Sequence, residues 1–570
     1  DGDLDIVTNT IDSEVVIYKN TIDTASNYLT LRFKYKDHNP FGLGTKVLSY
    51  HNGILQYKQL FTSKGFQSSS EPIIHFGYGK TETIDSLKII WPDQTIQIAE
   101  NIKTNQKLTI QVLHKRDKVD YTVLFPKKRK WFRGIDSLPG LCYEHKENNY
   151  IDFNRQKLIP YKVSDKGPAV VVSDFNNDGL DDLFFGSSKN FKSEVYLQTK
   201  NGFQKLDIPF LHDDKDQEDI VAIAEDFDQD GSKDLLIGSA GGEILYTKEK
   251  LQDRLYLNKN TNFNRASFPK INANTSVIAP HDIDGDGDLD IFIGSYISAD
   301  NFGKIPESFL LINDNNNFHI SNQKELKSLG MVTDAIWSDI DGDGNKELFV
   351  VGEWMSPKIL KYTSGSFKDM TNKYLGNMPL GLWQMIKPFD VDSDGDTDYV
   401  LGNFGTNTKF KATGDHPLRM YYSDFDSNGT PETIIALYKE GQYYPILGLD
   451  ELAAQMNFLK KKYTSYRDFA GKTLEEILGR DKLDEAKLFE VTELRSGYLR
   501  NDNDNYTFKS FENSMQIAPI TKALNYDFEG DGEQELLLAG NYTGLIPYHS
   551  KLDAFAGAII KTGKIIEGKI

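Results

Sequence analysis

Short apolar runs, each preceded by a polar turn rich in Asp and Gly, recur through the later part of the chain. LFFG, LLIG, IFIG and LFVV are too short for helices and rich in β-formers, so they predict buried strands. Runs such as SEVYLQTKNGFQKL, with NG at the centre, predict hairpins. Residues 29–113 alternate apolar and polar positions between Gly and Asn turns, as in LTLRFKY, TKVLSYHNG, LKIIWPDQ and KLTIQVL, and predict a compact β domain. One stretch has helical spacing instead. Leu452, Met456 and Leu459, then Leu474, Ile477 and Leu478, predict two or three helices over about 449–487, carried on a loop between sheets.

The turns before the strands share one pattern, D-x-D-x-D-G-x-x-D, found seven times. Its positions 1, 3, 5, 7 and 9 are Asp174, Asn176, Asp178, Leu180 and Asp182 in the first copy, and Asp226, Asp228, Asp230, Ser232 and Asp234 in the second. The third has Asp282, Asp284, Asp286, Asp288 and Asp290; the fourth has Asp339, Asp341, Asp343, Asn345 and Glu347. Asp390, Asp392, Asp394, Asp396 and Asp398 form the fifth, and Asp424, Asp426, Asn428, Thr430 and Glu432 the sixth. The seventh has Asp527, Glu529, Asp531, Glu533 and Glu535. Asp1, Asp3 and Asp5 read as the second half of an eighth copy, and the expectation is that earlier repeats precede them.

Calcium is a hard cation that takes six to eight oxygens, and this spacing supplies them. Carboxylates at positions 1, 3 and 5 can converge across a tight turn, which the Gly at position 6 permits. Position 7 can offer a backbone carbonyl, which explains its free variation, and the acid at position 9 closes the shell. An EF-hand closes at position 12 between helices, whereas here the acid at position 9 leads straight into a strand. The pattern therefore predicts about one Ca²⁺ per repeat, up to seven, weakest in the copies carrying Asn176 and Asn428.

Most motifs start about 50 residues apart, the length of a four-stranded blade. The predicted fold class is all-β: a seven-bladed calcium-binding β-propeller over 141–570 with a helical insertion, plus a small β-sandwich-like domain at 29–113. Residues 1–28 read as the end of a truncated upstream propeller, and 114–140 as a basic linker containing KKRK.

Composition narrows the function classes. The chain of 570 residues has Asp+Glu 84 against Lys+Arg 65, a net charge of −19, so no nucleic-acid partner is expected. Seven bound divalent cations would cancel most of that excess. Cys142 is the only cysteine, which excludes an internal disulfide and a cysteine-based zinc cluster. No apolar run is long enough to span a bilayer as a helix.

The acidic loop followed by strand and Gly resembles the FG-GAP/VCBS repeats of integrin-like propellers. Residues 29–112 resemble the ASPIC/UnbV domain through Asn39-Pro40, Gly42, Gly44, Gly53, His75-Phe76-Gly77-Tyr78-Gly79 and Trp91-Pro92-Asp93. Residues 140–570 are similar to the second propeller of Bacteroidota surface lipoproteins. The segments that carry this are Tyr143-Glu144-His145-Lys146-Glu147-Asn148, Lys166-Gly167-Pro168-Ala169, Gly402-Asn403-Phe404-Gly405 and the helical stretch from Gln455 to Lys461. The resemblance implies a secreted or outer-membrane cell-surface protein. It implies membrane association through an N-terminal lipid anchor beyond Asp1, and a partner complex such as a SusC/SusD-like TonB-dependent transporter.

No H-E-x-x-H and no G-x-S-x-G occurs, so no catalytic residue is assigned. Trp354, Trp383, Tyr421 and Tyr422 are candidates for stacking on a glycan. The expected function is a non-enzymatic, calcium-stabilised binding scaffold. A polysaccharide lyase or hydrolase on a propeller scaffold, and an integrin-like adhesin, stay open as alternatives.

Overall fold

A computed structural model describes residues 5–9, 14–21, 26–125, 132–241, 251–298, 301–502 and 505–566. The chain divides into two compact units, residues 1–129 and 130–570.

In the first unit, Ile6–Thr8 pairs with Val16–Tyr18 as an exposed two-stranded ribbon. The body is two sheets. One runs in the order Asp117–Lys118, Thr95–Lys103, Thr83–Ile90, Lys46–His51, Ile54–Gln59; the other runs Gln106–Gln111, Asn27–Lys34, Ile74–Gly79. Alternation along Asn27–Lys34 buries Leu29, Leu31 and Phe33, which join Val47, Phe76, Ile84 and Trp91 in one core. Asn39 closes the 39–43 turn by two bonds: its Nδ2 donates to the Leu43 carbonyl and its Oδ1 accepts the Leu43 N–H, both at 2.9 Å. The segment expected as a linker is partly built into this unit. Asp117–Lys118 is an edge strand on Thr95–Ile96, and Tyr121–Leu124 is one helical turn capped by Asp120. The basic residues 127–130 lie outside the described residues.

The second unit holds seven sheets of four or five strands among its described residues. Six follow one another along the chain, five of them built from neighbouring strands and one interrupted, and their first strands are Val170–Ser173, Asp219–Glu225, Thr275–His281, Met331–Ser338, Met385–Pro388 and Ile520–Tyr526. Each of these first strands touches the first strand of the next sheet, a propeller-like arrangement. The segment leading into the first sheet is fastened to the sixth: Tyr161 bridges Leu545, and Lys162 N–H donates to the Gly544 carbonyl at 2.8 Å.

The seventh sheet departs from the expected succession of blades. In the fifth sheet, Tyr399–Gly402 pairs with Gly497–Asn501, so residues 403–496 are an excursion from inside one sheet. That excursion builds its own sheet, ordered Gln442–Pro445, Glu432–Lys439, Leu418–Ser423, Lys487–Val491, and carries the sixth acidic motif. The expected helices also belong to it. There are five short ones, Leu449–Gln455, Leu459–Lys462, Tyr466–Phe469, Leu474–Leu478 and Arg480–Glu485. Gly479, at φ +90°, separates the last two, a conformation that disfavours any side chain. Thr473 starts the fourth with a capping box to Glu476. All six apolar residues read at helical spacing are buried, in a core with Tyr421, Ile434 and Ala436 of the inserted sheet.

Two buried polar networks tie the sheets together. Glu353, at the end of the second strand of the fourth sheet, accepts the hydroxyls of Tyr161 and of Tyr296 (2.5 Å) and Nε2 of Gln384 (2.8 Å). These donors come from the lead segment, the third sheet and the start of the fifth. The Lys166 ammonium lies over the rings of Tyr296 (4.7 Å), Tyr542 (5.2 Å) and Tyr161 (5.9 Å), and the Glu353 charge acts on it. Trp354 beside Glu353 has φ +59°, an uncommon conformation for a bulky residue.

The second network joins the first three sheets. Buried Arg254 pairs with Asp219 and donates to Ser239 Oγ at 3.1 Å. Neighbouring Asp253 accepts Ser239 N–H and Thr275 Oγ1, both at 2.9 Å. Burial pushes the Asp253 carboxyl up to about 7, against about 3.9 in an unfolded chain. The folded state therefore holds a proton that the unfolded state releases between these values, and stability falls as pH rises through that window. With Ca²⁺ saturating, the urea midpoint of the wild type is expected to drop from pH 5 to pH 8 by more than that of Asp253→Asn. Parallel profiles would refute this ionisation.

Candidate functional site

Each acidic turn joins the first strand of a sheet to its second. The loops are preorganised by backbone donors. The carboxylate at position 1 accepts N–H groups from the far side of the turn: Asp174 from Asp178 (3.1 Å) and Gly179 (2.8 Å), Asp226 from Asp230 (3.1 Å) and Gly231 (3.0 Å). In the others Asp282 accepts from Gly287, Asp339 from Gly344, Asp390 from Gly395, Asp424 from Gly429 and Asp527 from Gly532. The Gly at position 6 has φ between +83° and +98° in every copy, as at Gly179 and Gly287, which explains why Gly stands there.

Position 9 is anchored from two sides. Its inner oxygen accepts the N–H of position 2 in all seven copies, at 2.8–3.0 Å. Where it is Asp, the other oxygen accepts an N–H from the third strand, from Gln198, Asn258, Asn313 or Asn501, at 2.7–2.8 Å. Where it is Glu the longer arm frees that oxygen, and Glu432 Oε1 is buried without a hydrogen bond. Asp426 Oδ1, Asp396 Oδ1 and Asp288 Oδ1 are orphaned in the same way.

Carboxylates converge accordingly. Asp226, Asp228 and Asp230 place one oxygen each within 4.8 Å of one another. So do Asp282, Asp284 and Asp290; Asp339, Asp341 and Glu347; Asp390, Asp392 and Asp398; and Asp424, Asp426 and Glu432. In four of these five groups the acids are positions 1, 3 and 9, and in the other they are positions 1, 3 and 5. Burial raises Asp234 and Asp290 to about 6 and Glu432 to about 7, and burial with the Asp394 neighbour raises Asp396 to about 6. Orphaned oxygens, crowded like charges and an all-oxygen donor set fit a hard divalent cation. These acidic groups could hold metal ions.

Comparison with known proteins agrees with the geometry. Residues 174–237, 226–293 and 339–401 match the FG-GAP-like repeat, and residues 35–117 match the family described as ASPIC and UnbV. The chain carries an ASPIC and UnbV domain and FG-GAP-like repeats. No curated protein matches it. Among solved structures it is similar to an Agrocybe aegerita lectin that recognises non-reducing terminal N-acetylglucosamine (14% identity, 62% of this chain and 82% of that one, TM-score 0.28). It is also similar to the V. cholerae biofilm matrix protein Bap1 (12%, 74% and 83%, TM-score 0.29). A third is the six-bladed fucose-binding lectin of Aleuria aurantia (10%, 72% and 94%, TM-score 0.26).

The FG-GAP-like loops are not equivalent. In the fourth, Lys361 from the third strand of its sheet reaches into the acids, with Nζ at 2.6 Å from Asp343, 2.7 Å from Glu347 and 3.3 Å from Asp341. Its hydrogen bond holds Asp343 down at about 2. In the seventh, Lys561 pairs with Glu529 and, at 3.1 Å, with Glu535. Both loops have Glu at position 9. In the third such loop Lys482 donates to the Phe425 carbonyl instead. An ammonium beside the acids marks these two loops as weak binders too, besides those with Asn176 and Asn428. The sequence signal was available, a Glu at position 9 with a Lys on the third strand, in LKYT and IIKT.

The remaining candidates resolve differently. Asp1 and Asp3 lie outside the described residues, and Asp5 accepts the Asn20 N–H at 2.9 Å. Trp354, Trp383 and Tyr421 are buried, and Tyr422 is partly buried against Gly303. Calcium titration followed by metal analysis is expected to give about five ions per chain. Lys361→Met with Lys561→Met should raise the count by two, and seven in the wild type would refute the lysine reading.

Proposed function

We propose that this chain is a non-enzymatic, calcium-stabilised binding scaffold of the bacterial cell surface, an accessory subunit of an outer-membrane nutrient-uptake complex. Ca²⁺ is structural in this reading. It replaces repulsion among clustered carboxylates and fixes each turn between the first and second strands. The observation that carries it is the set of orphaned carboxylate oxygens in backbone-braced loops. We also propose that the six consecutive sheets close as a ring through the Tyr161–Leu545 bridge, with the seventh acidic-loop sheet nested in the fifth.

The excursion 403–496 breaks the repeat, and so is the element on which partner choice can vary without disturbing the ring. Deleting only 449–487 would strip Leu452, Leu459 and Ile477 from their core, so a surface change is the cleaner test. Tyr466 is 65% exposed and Arg467 is exposed. With Ca²⁺ present, the purified chain is expected to capture a TonB-dependent transporter from outer membranes. Tyr466→Ala with Arg467→Glu should lose it at unchanged melting temperature. Release of sugar from a surface glycan by the isolated chain would refute the non-enzymatic reading.

A further inference from the structure

The excursion contains a cavity of about 410 Å³ between the inserted sheet and the last two helices. That is within the range of small-molecule sites, roughly 300–1,000 Å³. Nothing in the acidic loops uses it. On the sheet side, Arg419 is fixed from two directions: its Nε donates to Glu490 at 2.9 Å, and its guanidinium stacks on the Tyr443 ring at 4.1 Å. Tyr443 is itself held by its hydroxyl, which donates to the Pro417 carbonyl at 3.2 Å. Arg419 Nη1 also donates to the Tyr421 hydroxyl at 3.5 Å, so Arg419 is a rigid planar donor with Nη2 left to offer.

The helix side is the opposite in kind. Arg480 stands 4.0 Å from Glu475 and 3.9 Å from Asp484, beyond hydrogen-bond reach of both. Guanidinium donors and carboxylate acceptors thus lie side by side, solvent-exposed and without a hydrogen bond to one another. Leu474, Leu483 and Leu488 supply an apolar wall between these polar sides, and Leu488 is 43% exposed.

We propose that this cavity is a binding site for a neutral saccharide residue. A vicinal diol donates one hydrogen bond and accepts another, and alternating guanidinium and carboxylate groups meet both demands. The C–H face of a pyranose suits the leucine wall. The two arginines are matched by Glu475 and Asp484, with Glu490 behind Arg419, so an anionic sugar gains no net attraction. The site deepens the proposed scaffold role, because it gives the excursion a ligand class of its own.

The test is saturation-transfer NMR on the full chain with Ca²⁺. The probes are glucose, galactose, mannose, N-acetylglucosamine, maltose, cellobiose and glucuronate. At least one neutral sugar is expected to receive transfer. Its Kd should rise at least tenfold in Arg480→Ala and in Asp484→Ala, whose side chains are about 75% exposed and not needed for folding. Arg419→Met should abolish binding. Transfer to none of the probes, a Kd unchanged in both helix variants, or glucuronate bound more tightly than glucose would each overturn the proposal. Loss of transporter capture with sugar binding intact would refute the scaffold reading alone; the converse would refute this site alone.

Discussion

Chelation is expected to lower the melting temperature by about 2–8 °C relative to 1 mM Ca²⁺. Extracellular calcium modules bind at about 10⁻⁴–10⁻³ M. One such site at 1 mM contributes about 0.4–1.4 kcal/mol by mass action, and five contribute about 2–7 kcal/mol. A domain of 150–250 residues shifts by about 2–4 °C per kcal/mol, and a larger one by less. The five loops meant are those starting at Asp174, Asp226, Asp282, Asp390 and Asp424. The lysine-filled loops at Asp339 and Asp527 should add little. Differential scanning calorimetry with EDTA and then with restored Ca²⁺ measures the shift, and superimposable traces would end the structural role of the cation.

The second large effect is expected at Glu353. Replacing it with Ala leaves the Tyr161 and Tyr296 hydroxyls and the Gln384 amide without an acceptor, and removes the negative charge facing Lys166. Leaving a buried donor without its acceptor costs about 1–3 kcal/mol. Because the donors come from three separate parts of the second unit, the loss should appear as one cooperative fall in denaturant midpoint. Glu353→Gln keeps an acceptor and should cost less. Equal midpoints for Glu353→Ala and the wild type would show that the network adds nothing to stability.

Much of this could be read from residues alone, because the informative signals are local. The turn itself was legible: the Gly at position 6 takes the positive φ its place suggested, and positions 1 and 9 brace the loop through backbone N–H groups, because a turn of nine residues contains its own geometry. The helical stretch was legible for the same reason, since Leu452, Met456 and Ile477 report their burial through a short period. What failed was non-local. The pairing of Leu401 with Gly497 spans the whole excursion, and no periodicity shows that one sheet is interrupted by another. Lys361 reaches its acids from a different strand, and the sugar-stacking role considered for Trp383 gave way to complete burial. Hydrophobicity alone does not distinguish an aromatic ring in the core from one at the rim.

The interruption at Gly402 also sets a timetable. Five sheets can be assembled from strands close in sequence, but the fifth cannot join its halves until the ribosome has delivered residues 403–496 and both ends have met. Closing so long a loop is entropically costly before any contact rewards it. The nascent chain should therefore pause as four finished sheets with an open seam, and the excursion, maturing on its own core, would act as the latch that brings that seam together.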